Sequence, residues 1–121
     1  MSNEAVSVYF NPRCSKCRSA RELLEARGEP ATYLHYLETP PTRVELERLM
    51  KRLGIASPRD MMRTGESIYA ELGLAEADDA GLLDAIVAHP ILLERPIGVR
   101  GERAVIARPP ERLLELWADR T

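Results

Sequence analysis

The chain has 121 residues, a length at which one hydrophobic core suffices and a disulfide staple is unnecessary. Apolar residues make up 45% and charged residues 30%, and no window approaches the ~20 continuous apolar residues of a membrane span, which excludes a disordered or membrane-inserted chain. The 17 basic and 19 acidic residues are mixed along the sequence to a net charge of -2, which excludes the basic stripe of a non-specific nucleic-acid binder.

In chain order, residues 5–10 (AVSVYF) are short and β-prone, and Asn11-Pro12 follows as a turn. MSNEAVSVYF has no basic or long apolar stretch resembling an export signal, so the cytoplasm is the expected compartment. Cys17, Ala20, Leu23 and Leu24 then recur at helical spacing until Gly28 stops the run. Residues 31–37 (ATYLHYL) predict a second strand, parallel to the first because a helix connects them. Thr42-x-x-Glu45 is a capping box that opens a helix with the stripe Leu46, Leu49, Met50 and Leu53, ended by Gly54. Ser57-Pro58 starts another helix, and further helical stretches are predicted over 66–72 and 79–88, the last with Leu82, Leu83, Ile86 and Val87 on one face. Ile97-Gly98-Val99 and Ala104-Val105-Ile106 read as an antiparallel hairpin around Gly101. Pro109-Pro110 leads into a last helix with Leu113, Leu114 and Trp117 inward. The order βαβ, helices, ββα predicts an α/β, thioredoxin-like fold: one domain over 1–121, a four-stranded mixed sheet, and a helical insertion at about 42–89.

Cys14 and Cys17 are the two cysteines, and no further cysteine or histidine pair completes a zinc site, so no metal is expected. Cys14 falls in N-P-R-C-S-K-C-R, between a strand end and the first turn of a helix. Free backbone N–H groups and the positive helix end favour a thiolate there, and Lys16, Arg13 and Arg18 add positive charge. The same amides suit an oxyanion. Cys17 fits two readings: a resolving thiol that closes a disulfide with Cys14, or a small buried hydrophobe on the stripe with Ala20 and Leu24. Of the basic residues, Lys16 and Lys51 alone are lysines. Guanidinium forks suit oxyanions, but an Arg-rich composition by itself assigns no single arginine a task. His35 is read as a strand-surface residue, His89 as a helix-end residue, and Trp117, Met61 and Met62 as packing residues.

Val8-Tyr9-Phe10-Asn11-Pro12-Arg13-Cys14, Tyr36-Leu37-Glu38-Thr39-Pro40-Pro41, Leu72-Gly73-Leu74-Ala75, His89 through Ile97 and Arg108-Pro109 together resemble the glutaredoxin-dependent arsenate reductase family over nearly the whole chain. The resemblance implies a thioredoxin-like fold without a tightly bound cofactor, with Cys14 as the catalytic nucleophile and Arg63, Arg95 and Arg108 as oxyanion ligands. It further implies that glutathione attacks the Cys14–arsenate adduct, that arsenite leaves, and that glutaredoxin resolves the mixed disulfide. It also predicts a cis Arg95–Pro96 bond facing the cysteine. Taken singly, Arg63 also fits a solvated helix residue and Arg108 a strand-end charge. Two residues depart from the family pattern: Phe10 stands in place of a histidine, and Cys17 in place of a serine. Cys17 leaves two alternatives open, a general thiol–disulfide oxidoreductase using Cys14 and Cys17, and a Spx-like redox-sensing regulator that binds RNA polymerase.

Overall fold

The computed structural model describes residues 5–117, and their contacts divide into two compact units with boundaries at Tyr36/Leu37 and Glu94/Arg95. The first unit holds a four-stranded mixed sheet of order β2-β1-β3-β4, formed by β1 (Val6–Tyr9), β2 (Ala31–Leu34), β3 (Ile97–Arg100) and β4 (Arg103–Ile106). β1 pairs with β2 in parallel and with β3 antiparallel, and β3 pairs with β4 antiparallel, in the thioredoxin-like arrangement that the element order predicts. Gly101, at φ 60, provides the left-handed conformation that the two-residue turn between β3 and β4 needs. Both early strands are shorter than expected. Phe10 lies beyond β1, although its N–H still donates to Leu34 O, and the chain after Leu34 turns back as Tyr36 N–H donates to the same carbonyl.

α1 (Ser15–Ala26) connects β1 to β2 and buries Cys17, Ala20 and Leu24, the stripe read from the sequence. Ala20 and Leu24 join Val6, Val8, Val105 and Ala107 of the sheet side in one core, closed by Leu113 and Leu116. Leu113 and Leu116 come from Pro110–Trp117, which is a 3-10 segment and not the α-helix expected. Its inward set is therefore Pro110, Leu113 and Leu116, three residues apart, because side chains at i and i+3 eclipse in a 3-10 helix. Leu114, expected inward, is exposed, and half-buried Trp117 lies between the guanidinium groups of Arg27 and Arg100.

The second unit is helical, as predicted for this stretch. α2 (Arg43–Leu53) opens on the capping box: Glu45 N–H donates to Thr42 Oγ1 at 3.2 Å, and Thr42 N–H donates to Glu45 Oε1 at 2.8 Å. Gly54 closes the helix at φ 73. α3 (Ser67–Glu71) and α4 (Asp79–Ala88) follow, α4 capped by Asp78 Oδ1 accepting from Gly81 N–H at 2.8 Å. Ser57-Pro58 starts a 3-10 turn, Pro58–Met61, in place of an α-helix. Leu82, Leu83 and Ile86 of α4 are buried as expected, whereas Val87 faces outward, and Met61 and Met62 are core residues. Arg59, to which the sequence alone gives no task, ties this unit together: its guanidinium donates to Tyr69 Oη, Leu74 O and Ala77 O at 3.0, 2.9 and 3.2 Å.

Candidate active site around Cys14

The loop from β1 to α1 is shaped by Asn11. Its Oδ1 accepts Arg13 N–H at 3.0 Å and its carbonyl accepts Cys14 N–H at 2.9 Å, while Arg18 of α1 donates back to Pro12 O at 2.9 Å. The side-chain contact is the Asx-turn habit of asparagine, so the signal is present in Asn11-Pro12 but reads there only as a turn. These bonds set Cys14 at the N-cap of α1, with extended dihedrals of φ -91 and ψ 123, and leave its side chain partly exposed.

No cap hydrogen bond is formed to the Cys14 side chain, so the helix-start amides act on it electrostatically. Partial burial opposes ionisation of the thiol. Against it stand the Cys17 N–H, the Arg95 guanidinium, the Cys17 thiol and the Lys16 N–H, and together they bring Cys14 down to about 7. The cation that acts is thus Arg95, which comes to Cys14 from the loop before β3. Of the three neighbours expected to contribute charge, Lys16 contributes its backbone, and Arg18 spends its guanidinium on Pro12. Arg95 is itself made more basic: burial works against its charge, and the facing Cys14, Tyr36 and Cys17 overcome it.

Cys17 is fully buried, and its sulfur accepts Asn11 N–H at 3.4 Å. Burial, foremost, and the adjacent Cys14 thiolate push its thiol up to about 12, against the Asn11 N–H and the Arg95 charge. Above a pH of about 7 the pair is therefore a Cys14 thiolate accepting from a Cys17 thiol, and both cysteines are free.

The Arg95–Pro96 peptide is cis as expected, and Arg108–Pro109 is cis as well. Arg108 is exposed at the end of the sheet, and its guanidinium donates to Arg95 O at 2.7 Å, which joins it to the Arg95 backbone. Cys14, Arg95 and Arg108 thus belong to one unit. Arg63 belongs to the other, where its guanidinium pairs with Glu66 at 3.0 Å and Glu94 at 3.5 Å and its N–H donates to Leu92 O at 2.7 Å. M-M-R-T gives no sign of this pair of carboxylates, one of which is far away in sequence. Phe10 is buried against Tyr33 and His35, with Arg21 over its ring. His35 is exposed just past β2, and His89 caps the end of α4. Among the described residues no cluster of three His, Cys, Asp or Glu side chains could hold a metal ion, and no helix is long and apolar enough to cross a membrane.

A small, partly open thiolate with a guanidinium at its side is equipped to attack an electrophile that carries negative charge, since the cation offsets the repulsion between the two. Known proteins share this architecture. The ArsC family model matches residues 9–116. The chain is 46% identical over 110 residues to an arsenate reductase of Neisseria meningitidis, covering 89% of this chain and 94% of that one. It is 43% identical over 121 residues to the arsenate reductase of Escherichia coli, covering 98% and 84%. Among solved structures, the arsenate reductase from Vibrio cholerae matches with a TM-score of 0.90 at 43% identity, over 93% of this chain and 98% of that one. A thiolate at a strand-to-helix junction, the four-stranded sheet around it and sequence identity spread along nearly the whole chain agree, and the protein belongs to the ArsC family of oxidoreductases.

Proposed function

We propose that this protein reduces arsenate to arsenite, with the Cys14 thiolate as nucleophile and glutathione and glutaredoxin as the reductants. The observation that carries the reading is the Cys14–Arg95 pair, which keeps a thiolate available near neutral pH beside a fixed positive charge. The relatives named arsenate reductases supply the substrate class. Arsenate is an anion, so its approach to a thiolate needs charge compensation at the point of attack, and Arg95 and Arg108 are the oxyanion ligands on the cysteine's own unit. The family resemblance adds Arg63 as a third ligand; Glu66 and Glu94 engage its Nε and Nη1.

The electrons balance with two thiols. Cys14 attacks arsenic and displaces an oxygen as water, forming a sulfur–arsenic bond. Glutathione then supplies the second thiol: arsenic(V) accepts two electrons and leaves as arsenite, and a Cys14–glutathione disulfide forms as the two sulfurs are oxidised. Glutaredoxin returns Cys14 to the thiol. The test is NADPH-coupled turnover of arsenate with glutathione and glutaredoxin present. Turnover is expected for the wild type and background only for Cys14→Ser. An inactive wild type, or an active Cys14→Ser, overturns the reading.

A further inference from the structure

Cys17 occupies the third position of α1 and Cys14 its N-cap, so both sulfurs start from the same first turn of one helix. Cys17 is 0% exposed, so no bulky external thiol or reductant reaches its sulfur directly. The group it does meet is the Cys14 side chain, with the Asn11 N–H holding the Cys17 sulfur from behind at 3.4 Å. A cysteine serving only as a small hydrophobe needs neither partner.

We propose that Cys17 is a resolving thiol, which displaces glutathione from Cys14 and closes an internal Cys14–Cys17 disulfide. For the origin of the mixed disulfide this rests on the function proposed above. The Cys17 thiolate attacks the Cys14 sulfur; the Cys14–Cys17 bond forms as the Cys14–glutathione bond breaks. Cys17 is oxidised, the glutathione sulfur is reduced, and glutathione leaves carrying the proton that Cys17 gave up. The surroundings make this step conditional on the state of Cys14. Of the influences that hold Cys17 protonated, burial persists, but the charge of the Cys14 thiolate and the hydrogen bond to it vanish once Cys14 is a neutral disulfide. The two influences that favour the Cys17 thiolate, the Asn11 N–H and the Arg95 charge, remain. Cys17 is thus quiet while Cys14 is free and becomes more acidic when Cys14 is capped. Two thiol equivalents, from one dithiol or from two monothiols in succession, then return the protein to its starting state.

The full-length reduced protein is exposed to glutathione disulfide at neutral pH, quenched with acid and weighed intact, and its peptides are mapped. The wild type is expected to become two hydrogens lighter with Cys14 linked to Cys17. Cys17→Ser and Cys17→Ala, two variants of different polarity in case one fails to fold, are expected to retain one glutathione on Cys14, and Cys14→Ser to take none. A wild type that stays unmodified, or that holds its glutathione as durably as the Cys17 variants, overturns the proposal. Arsenate does not enter the assay. A protein that forms the internal disulfide but leaves arsenate untouched refutes the reductase reading alone, and one that turns over arsenate without the internal disulfide refutes the Cys17 proposal alone.

Discussion

At the scale of single residues, the chemistry reduces to how one sulfur keeps its negative charge. Partial burial works against the Cys14 thiolate, and backbone N–H groups together with Arg95 outweigh it, bringing the thiol from an ordinary 9.0 to about 7. Protonation removes the nucleophile, so alkylation of Cys14 by iodoacetamide is expected to rise with pH through a midpoint near 7. Removing the Arg95 charge favours the neutral thiol. Arg95→Gln should therefore move that midpoint upward toward the ordinary value and slow alkylation at pH 7 several-fold, because the thiolate fraction falls about tenfold for every pH unit by which the midpoint exceeds the working pH. An unmoved midpoint would mean that the amides and the Cys17 thiol hold the charge without Arg95. The N-P-R-C-S-K-C-R segment reveals which sulfur matters, because strand end, turn and helix start are local features. It points to Lys16, Arg13 and Arg18, which are neighbours along the chain, and not to Arg95, which is a neighbour in space. Glu94 beside Arg63 escapes a reading of the sequence for the same reason.

At the scale of elements, periodicity locates every strand and α-helix to within a few residues but does not distinguish an α-helix from a 3-10 segment. Pro110–Trp117 shows why. Leu113, Leu114 and Trp117 fit an α-helical face, and Pro110, Leu113 and Leu116 fit a three-residue repeat equally well; packing against the sheet selects the second. That packing depends on Gly98 in β3. A Cβ at this position would collide with Leu113 Cδ2 and lie 3.1 Å from Leu116 Cδ1, and both leucines are fully enclosed in the core. Gly98→Ala is thus an overpacking change, expected to cost about 1–3 kcal/mol of unfolding free energy in a urea titration. A loss of a few tenths would show that the 3-10 segment moves aside freely. In the sequence, the same glycine looks like a weak point in a strand; its purpose is visible only with the segment that lies against it.

At the scale of the whole molecule, β1 draws one partner, β2, from the residues that soon follow it, and the other, β3, from beyond the entire helical stretch. The early βαβ portion cannot complete its own sheet or its own core, because β3, β4 and the Leu113–Leu116 closure all come late in the chain. A protein truncated after Glu94 leaves β1 as a sheet edge and exposes Val6, Val8 and Leu24. It is expected to lack the cooperative denaturant transition of the full chain, and a retained sharp transition would show that the early portion stands alone. The βαβ–helices–ββα order is legible because strand and helix periods differ and because proline and glycine mark the junctions. The pairing partners are legible only through the general habits of such folds. Arg95 lies just past the truncation point, so a chain still emerging from the ribosome carries Cys14 long before it carries the cation that helps to ionise it. Until Arg95 has emerged and packed beside it, the sulfur lacks one of the influences that favour its charge, and it acquires the last of them only in the finished fold.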